Sequence, residues 1–208
     1  MRLQAAIDRV SAERADELID LIDGYADIIE VGTSLIKDFG LEGSVRYLKK
    51  KHPEQCILAD LKTCDEGEYE FRKAYEEGAD IPTVMGFSSI PTLKACQKVA
   101  AEYKKEYMID LLEISDEKLK QLKEGFPEAI FCVHLPSDNG GEGLKELTAH
   151  MCGQLKGIQK IAVAGGITLD TVEIMKCAGV DIVIVGGAIN KAKDIQEAAK
   201  AFADAIRR

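Results

Sequence analysis

No two cysteines of the chain are spaced as CxxC, no GxGxxG follows its first apolar run, and no stretch reaches the ~18 consecutive apolar residues of a membrane span. The six cysteines, Cys56, Cys64, Cys96, Cys132, Cys152 and Cys177, lie mostly in apolar segments, which predicts small reduced core residues and neither a zinc site nor a disulfide framework. Positive charge is scarce as well. The 27 basic residues stand against 36 acidic ones, a formal charge of −9, which argues against a nucleic-acid-binding face and against an anionic membrane partner. A phosphate ligand would then need a local site. The opening MRLQAAIDRV lacks the long apolar stretch of a signal peptide, so a cytosolic protein is expected.

What is present is enough hydrophobic material, 46% of 208 residues, for a sizeable core, with no compositional break to suggest more than one domain over residues 1–208. Strand-like runs begin near Leu3, Asp27, Cys56, Ile81, Tyr107, Ala129, Lys160 and Asp181, and a charged stretch with helical spacing follows each. Their separations of 21 to 31 residues suit a βα repeat, and eight such units predict a (β/α)8 barrel. A doubly wound sheet is disfavoured by the missing glycine fingerprint and by polar residues at nearly every strand's carboxyl end, where a barrel makes them converge.

The most informative cluster is ADLKTCD at 59–65, which places Asp60, Lys62 and Asp65 at the end of a buried, β-prone run. Asp60 and Lys62 fall two apart, so on a strand they share a face, and charge on an otherwise apolar element must be paired or put to use. A structural ion pair with Asp65 opening the next helix is the plain alternative. The near-copies IAVAGGI and IVIVGGAI supply a second signal, since Gly165-Gly166 and Gly186-Gly187 would let backbone N–H groups approach an anion after strands seven and eight. Two ordinary strand-to-helix turns would read the same way singly, but not as a pair at the place where barrels hold phosphate.

His52 and His150 fall in charged or polar stretches and are expected at the surface, whereas His134 ends the apolar run AIFCV and precedes LPSDNGGEG, so it should face the barrel mouth, where a lone histidine is structural but one facing a lysine and several carboxylates can serve as a general base. Glu30 ends IIE on strand two beside Asp60. Two carboxylates from adjacent strands suit Mg2+, although either could instead pair with Lys62.

With these residues in place, the chain resembles the orotidine 5′-monophosphate decarboxylase superfamily over its whole length, and within it the group of 3-hexulose-6-phosphate synthases and 3-keto-L-gulonate-6-phosphate decarboxylases. The resemblance is carried by LQAAID at 3–8, DIIEVGTSLI at 27–36, ADLKTCDEGEYE at 59–70, the aspartate of MIDLL, VH with Asp138 four residues on, AVAGGI and VGGAI. It implies an enzyme that forms a 1,2-enediolate from a ketose phosphate. By position, Glu30 and Asp60 would hold Mg2+, Lys62 would stabilise the enediolate, Asp65 would reach the partner subunit's site in a homodimer, and His134 would move the proton. Gly165, Gly166, Gly186 and Gly187 would bind phosphate, with Asp8 and Asp110 lining the substrate end.

The decarboxylases of the group carry arginines where this chain has Ser137 and Gly187, while Asp110 and the GGAI turn match the synthases, so a synthase is expected. Pro136 and the missing glutamine after Asp138 depart from the pattern and bear on the choice of substrate. Orotidine 5′-monophosphate decarboxylase chemistry, which needs neither metal nor His134, fits less well. A catalytically silent sugar-phosphate-binding barrel is the alternative from another class, and the intact set Glu30, Asp60, Lys62, Asp65 and His134 speaks against it.

Overall fold

The computed structural model describes residues 1–136 and 143–207. Eight parallel strands close into one barrel in sequence order: β1 (Arg2–Ile7), β2 (Ile28–Val31), β3 (Ile57–Thr63), β4 (Ile81–Met85), β5 (Met108–Asp110), β6 (Ile130–His134), β7 (Lys160–Ala164) and β8 (Ile182–Val185), with β1 paired to β8. This is the expected (β/α)8 architecture. The helices of the outer layer are α1 (Ala12–Ile22), α2 (Thr33–Leu41), α3 (Tyr47–Lys51), α4 (Gly67–Glu76), α5 (Ile90–Tyr103), α6 (Asp116–Gly125), α7 (Leu144–Gln154), α8 (Leu169–Cys177), α9 (Gly187–Asn190) and α10 (Ile195–Arg207). A π-helical turn, Glu42–Arg46, joins α2 to α3.

Local chemistry starts several of these helices. Ser11, Ser89 and Ser115 each accept a hydrogen bond from a backbone N–H of the first turn of α1, α5 and α6, and Thr168 with Thr171 forms a reciprocal cap on α8.

Strand periodicity sorts the core into two layers. Leu3, Ala5 and Ile7 point outward to the helices, as do Ile29, Val31, Ile109, Phe131 and Val133. Ile28, Leu58, Ile81, Met108, Ile130 and Cys132 point inward and fill the barrel with their counterparts on β7 and β8. The next inward position toward the carboxyl end is Glu30 on β2, Asp60 on β3, Thr83 on β4, Asp110 on β5 and His134 on β6. Five polar side chains thus rest on an apolar floor at one end of the barrel.

Two expectations need correction. Cys96, Cys132 and Cys152 are buried and Cys56 is half-buried, but Cys64 and Cys177 are exposed, because each follows the last inward or helix-packed position of its element. His52 is half-buried rather than a free surface residue: its Nε2 lies 2.7 Å from Asp16 on α1, while His150 is exposed as expected. Among the described residues no helix is long and apolar enough to cross a membrane.

Candidate active site

The charges of β3, β5 and β6 form one continuous chain of contacts. Lys62 Nζ lies 3.1 Å from Asp60 Oδ2 and 3.3 Å from Asp110 Oδ2, and the same Asp110 oxygen lies 2.7 Å from His134 Nδ1. Burial pulls the Lys62 ammonium toward the neutral form, but Asp60 and Asp110 outweigh it and hold the group well above its ordinary value. Burial likewise opposes ionisation of Asp110, yet the hydrogen bond and charge of His134, then Lys62, keep it below the usual carboxylate range. An ionised Asp110 only accepts, so Nδ1 of His134 is the nitrogen that donates to it, and in the neutral ring Nε2 is then the basic nitrogen.

Glu30 is different. Burial, reinforced by the charge of Asp60, pushes its carboxyl up to about 8. Gln4, fully buried on β1, donates its Nε2 to Glu30 Oε2 at 2.5 Å, while Asp60 accepts from Thr33 Oγ1 at 2.6 Å and Thr83 Oγ1 at 3.0 Å. Two crowded carboxylates on adjacent strands, one of them destabilised as an anion, form a donor set that a divalent cation would relieve. Among the described residues no group of three His, Cys, Asp or Glu gathers as a metal cage. The protein therefore offers two hard oxygen donors, which fits Mg2+ because that ion keeps several waters or substrate oxygens.

The glycine turns lie at the same end. Gly165-Gly166 leave β7 and Gly186-Gly187 leave β8, the two strands being hydrogen-bonded neighbours. Gly165 has φ 98°, and a Cβ there would collide with the carbonyl oxygen of Leu135, so no other residue fits between β6 and β7 at that point. Asp8, just beyond β1, accepts from the Ser34 backbone N–H at 3.0 Å and from its hydroxyl. A Cβ on Gly32 would lie 2.7 Å from both Ile7 O and Asp8 Cγ, so this glycine permits the close approach of Asp8 to the start of α2.

The structure thus brings Glu30, Asp60, Lys62, Asp110 and His134 together, with the four glycines and Asp8 around the same rim. It leaves Asp65 apart: exposed after β3, it accepts from the Glu66 backbone N–H at 2.8 Å. Ser137 and Asp138 lie outside the described residues. Gln4, Thr33 and Thr83 were not singled out from sequence, although a polar residue at an inward position of an apolar strand marks both Gln4 in LQAAI and Thr83 in IPTVM.

Known proteins resemble this chain over its whole length. A 3-hexulose-6-phosphate synthase of Bacillus subtilis is 37% identical over 204 residues, covering 96% of this chain and 95% of the relative. The crystal structure of 3-hexulose-6-phosphate synthase from Salmonella typhimurium superposes with a TM-score of 0.91 at 31% identity, covering 100% and 99% of the two chains. A 3-keto-L-gulonate-6-phosphate decarboxylase from Vibrio cholerae gives 0.87 at 27% identity, covering 100% and 97%. Residues 1–202 match a single family throughout, with the barrel and its charged mouth inside that span, and the chain belongs to the orotidine 5′-phosphate decarboxylase / HUMPS family.

Proposed function

We propose that this protein is a 3-hexulose-6-phosphate synthase, an aldehyde-lyase that joins D-ribulose 5-phosphate to formaldehyde to give D-arabino-3-hexulose 6-phosphate. The observation that carries the reading is the unbroken contact chain Asp60–Lys62–Asp110–His134 beside the paired glycine turns. The synthase relatives from Bacillus subtilis and Salmonella typhimurium support it. In this reading the glycine turns after β7 and β8 take the phosphate and fix the far end of the ketose, which orients C1 at the mouth. His134 Nε2 removes a C1 proton to give the 1,2-enediolate, and Asp110 steadies the imidazolium that results. Lys62 supports the negative charge that develops on oxygen. C1 then attacks the carbon of formaldehyde, forming the new C–C bond as the C=O π pair moves to oxygen, and the product alkoxide takes the proton held on His134 Nε2, which returns the base to its starting form. Mg2+ held by Glu30 and Asp60 would add positive charge at the enediolate oxygens.

The reading includes a homodimer in which Asp65 of each subunit completes the site of the other. Its exposed position beyond β3 supports that role. It also takes the enzyme to be cytoplasmic, because a sugar phosphate does not cross a bilayer unaided.

The test is C1 proton exchange of ribulose 5-phosphate in D2O with Mg2+, followed by NMR, and then the addition of formaldehyde. Exchange and formaldehyde-dependent loss of the pentulose are expected. Absence of exchange with every pentulose phosphate would sink the enediolate reading, and fast carbon dioxide release from 3-keto-L-gulonate 6-phosphate would move the assignment to the decarboxylases.

Asp110→Asn should slow proton exchange by about a hundredfold, the scale of one general-base contribution. The neutral amide neither holds the Nδ1 proton as firmly nor steadies the imidazolium. A pH–rate profile of the variant that overlays the parent's, at unchanged rate, would remove Asp110 from the mechanism.

A further inference from the structure

Lys62 has φ 50°, the left-handed region, and it does so inside a strand. Among the described residues the other non-glycine positions of this kind, Arg9, Glu66, Lys104 and Glu113, all lie in loops or at helix ends. A side chain is disfavoured in this conformation, so something must hold Lys62 there.

The neighbouring strand shows what does. Between β3 and β4 the register runs from Ala59 opposite Pro82 to Thr63 opposite Val84, so β3 carries extra residues across the gap. Pro82 has no N–H to give the ladder, and a proline in a sheet belongs at such a bulge. Thr83, 2% exposed, faces the bulged segment. Its Oγ1 accepts from the Lys62 backbone N–H at 2.9 Å and donates to Asp60 Oδ1 at 3.0 Å. The polarity is fixed by chemistry, because a backbone N–H can only donate and the hydroxyl has one proton to pass on. Where the shifted register takes the Lys62 N–H out of the ladder, one hydroxyl accepts it and ties Asp60 and Lys62 of β3 into one geometry.

We propose that Thr83 is a positioning residue: its hydroxyl holds the left-handed Lys62 backbone and the Asp60 carboxylate in a single register, and so sets the Lys62 ammonium between Asp60 and Asp110. The inference rests on the reading of Asp60 and Lys62 as parts of the active site, but its first readout needs no turnover. Amide hydrogen exchange at Lys62, measured by NMR on the full chain without metal or substrate, should accelerate by at least about tenfold in Thr83→Val relative to amides elsewhere in β3, and return near the parent's value in Thr83→Ser. Turnover should fall about thirtyfold in Thr83→Val, with KM for the ketose phosphate within about threefold, and recover most of the loss in Thr83→Ser. Parental exchange and parental turnover in Thr83→Val would overturn the proposal. If Thr83→Val does not fold, the comparison of Thr83→Ser with Thr83→Ala decides: a hydroxyl role keeps serine near the parent and slows alanine, whereas equal damage in both assigns the effect to methyl packing. An inactive parent would refute the synthase reading, while the Lys62 exchange data would still judge Thr83.

Discussion

Lys62→Ala is expected to lower turnover by about a thousandfold or more, because it removes an ammonium held between two carboxylates, where negative charge develops in the proposed reaction. A single preorganised donor at a developing oxyanion is worth about 10²–10³ in kcat, and here the variant also leaves Asp60 and Asp110 to repel one another across the vacated space. Asp65→Ala should be similarly inactive for a different reason, since Asp65 is exposed and its hydrogen bond goes to its own Glu66 rather than to Lys62 or His134. The two variants should therefore complement. In a two-fold dimer with shared sites, a hybrid of one Lys62→Ala subunit and one Asp65→Ala subunit has one site lacking both residues and one site lacking neither. After unfolding and refolding at equal concentrations, half the dimers are hybrids, so activity should return to about a quarter of the parent's. Hybrid dimers that separate on a native gel but carry only the residual activity of the two variants would disprove the shared site. Asp65→Ala should also bind Mg2+ as the parent does, and a loss equal to that of Asp60→Ala would refute the division of roles.

The barrel was legible because its signal is periodic and local. Every strand begins within one residue of the position read from apolar runs, and the inward parity that puts Ile28 in the barrel also puts Glu30 there, two residues later. The same parity brought Asp60 and His134 to the mouth. What the sequence did not show is which side chains meet across strands, since that depends on register. The sequence puts Asp110 at the substrate end, and the structure gives it contacts to both Lys62 and His134. Thr83 reaches Lys62 only because β3 bulges opposite Pro82, and a left-handed lysine in mid-strand leaves no mark in the pattern of apolar residues. Gln4 lies inside the LQAAID motif, and only the β1–β2 register makes it the hydrogen-bond partner of Glu30.

Glu30 gives the largest expected effect on stability. Its carboxyl is pushed from 4.5 to about 8 by burial and by Asp60, so between those pH values the folded, metal-free protein binds a proton that the unfolded chain has lost. Stability of the metal-free protein must therefore fall as pH rises through this window and level off above about 8, by an amount on the order of 5 kcal/mol at its upper limit. Glu30→Gln keeps the shape and carries no such proton. With a chelator present, the variant should match the parent near pH 4.5 and melt several degrees higher than the parent at pH 9. With Glu30 as a proposed ligand, Mg2+ should reverse the order. The cation needs the ionised carboxylate, so the parent's affinity should drop about tenfold per pH unit below 8, as Glu30 takes up a proton that the metal must displace. Above pH 8, saturating Mg2+ should raise the parent's melting temperature by mass action, and Glu30→Gln should show neither the rise nor measurable heat in a calorimetric titration with the metal alone. Melting curves at pH 5, 7 and 9, with and without Mg2+, separate the two effects, and a parent whose metal-free stability is flat from pH 5 to 9 would show that Glu30 is already ionised and held by something other than the cation.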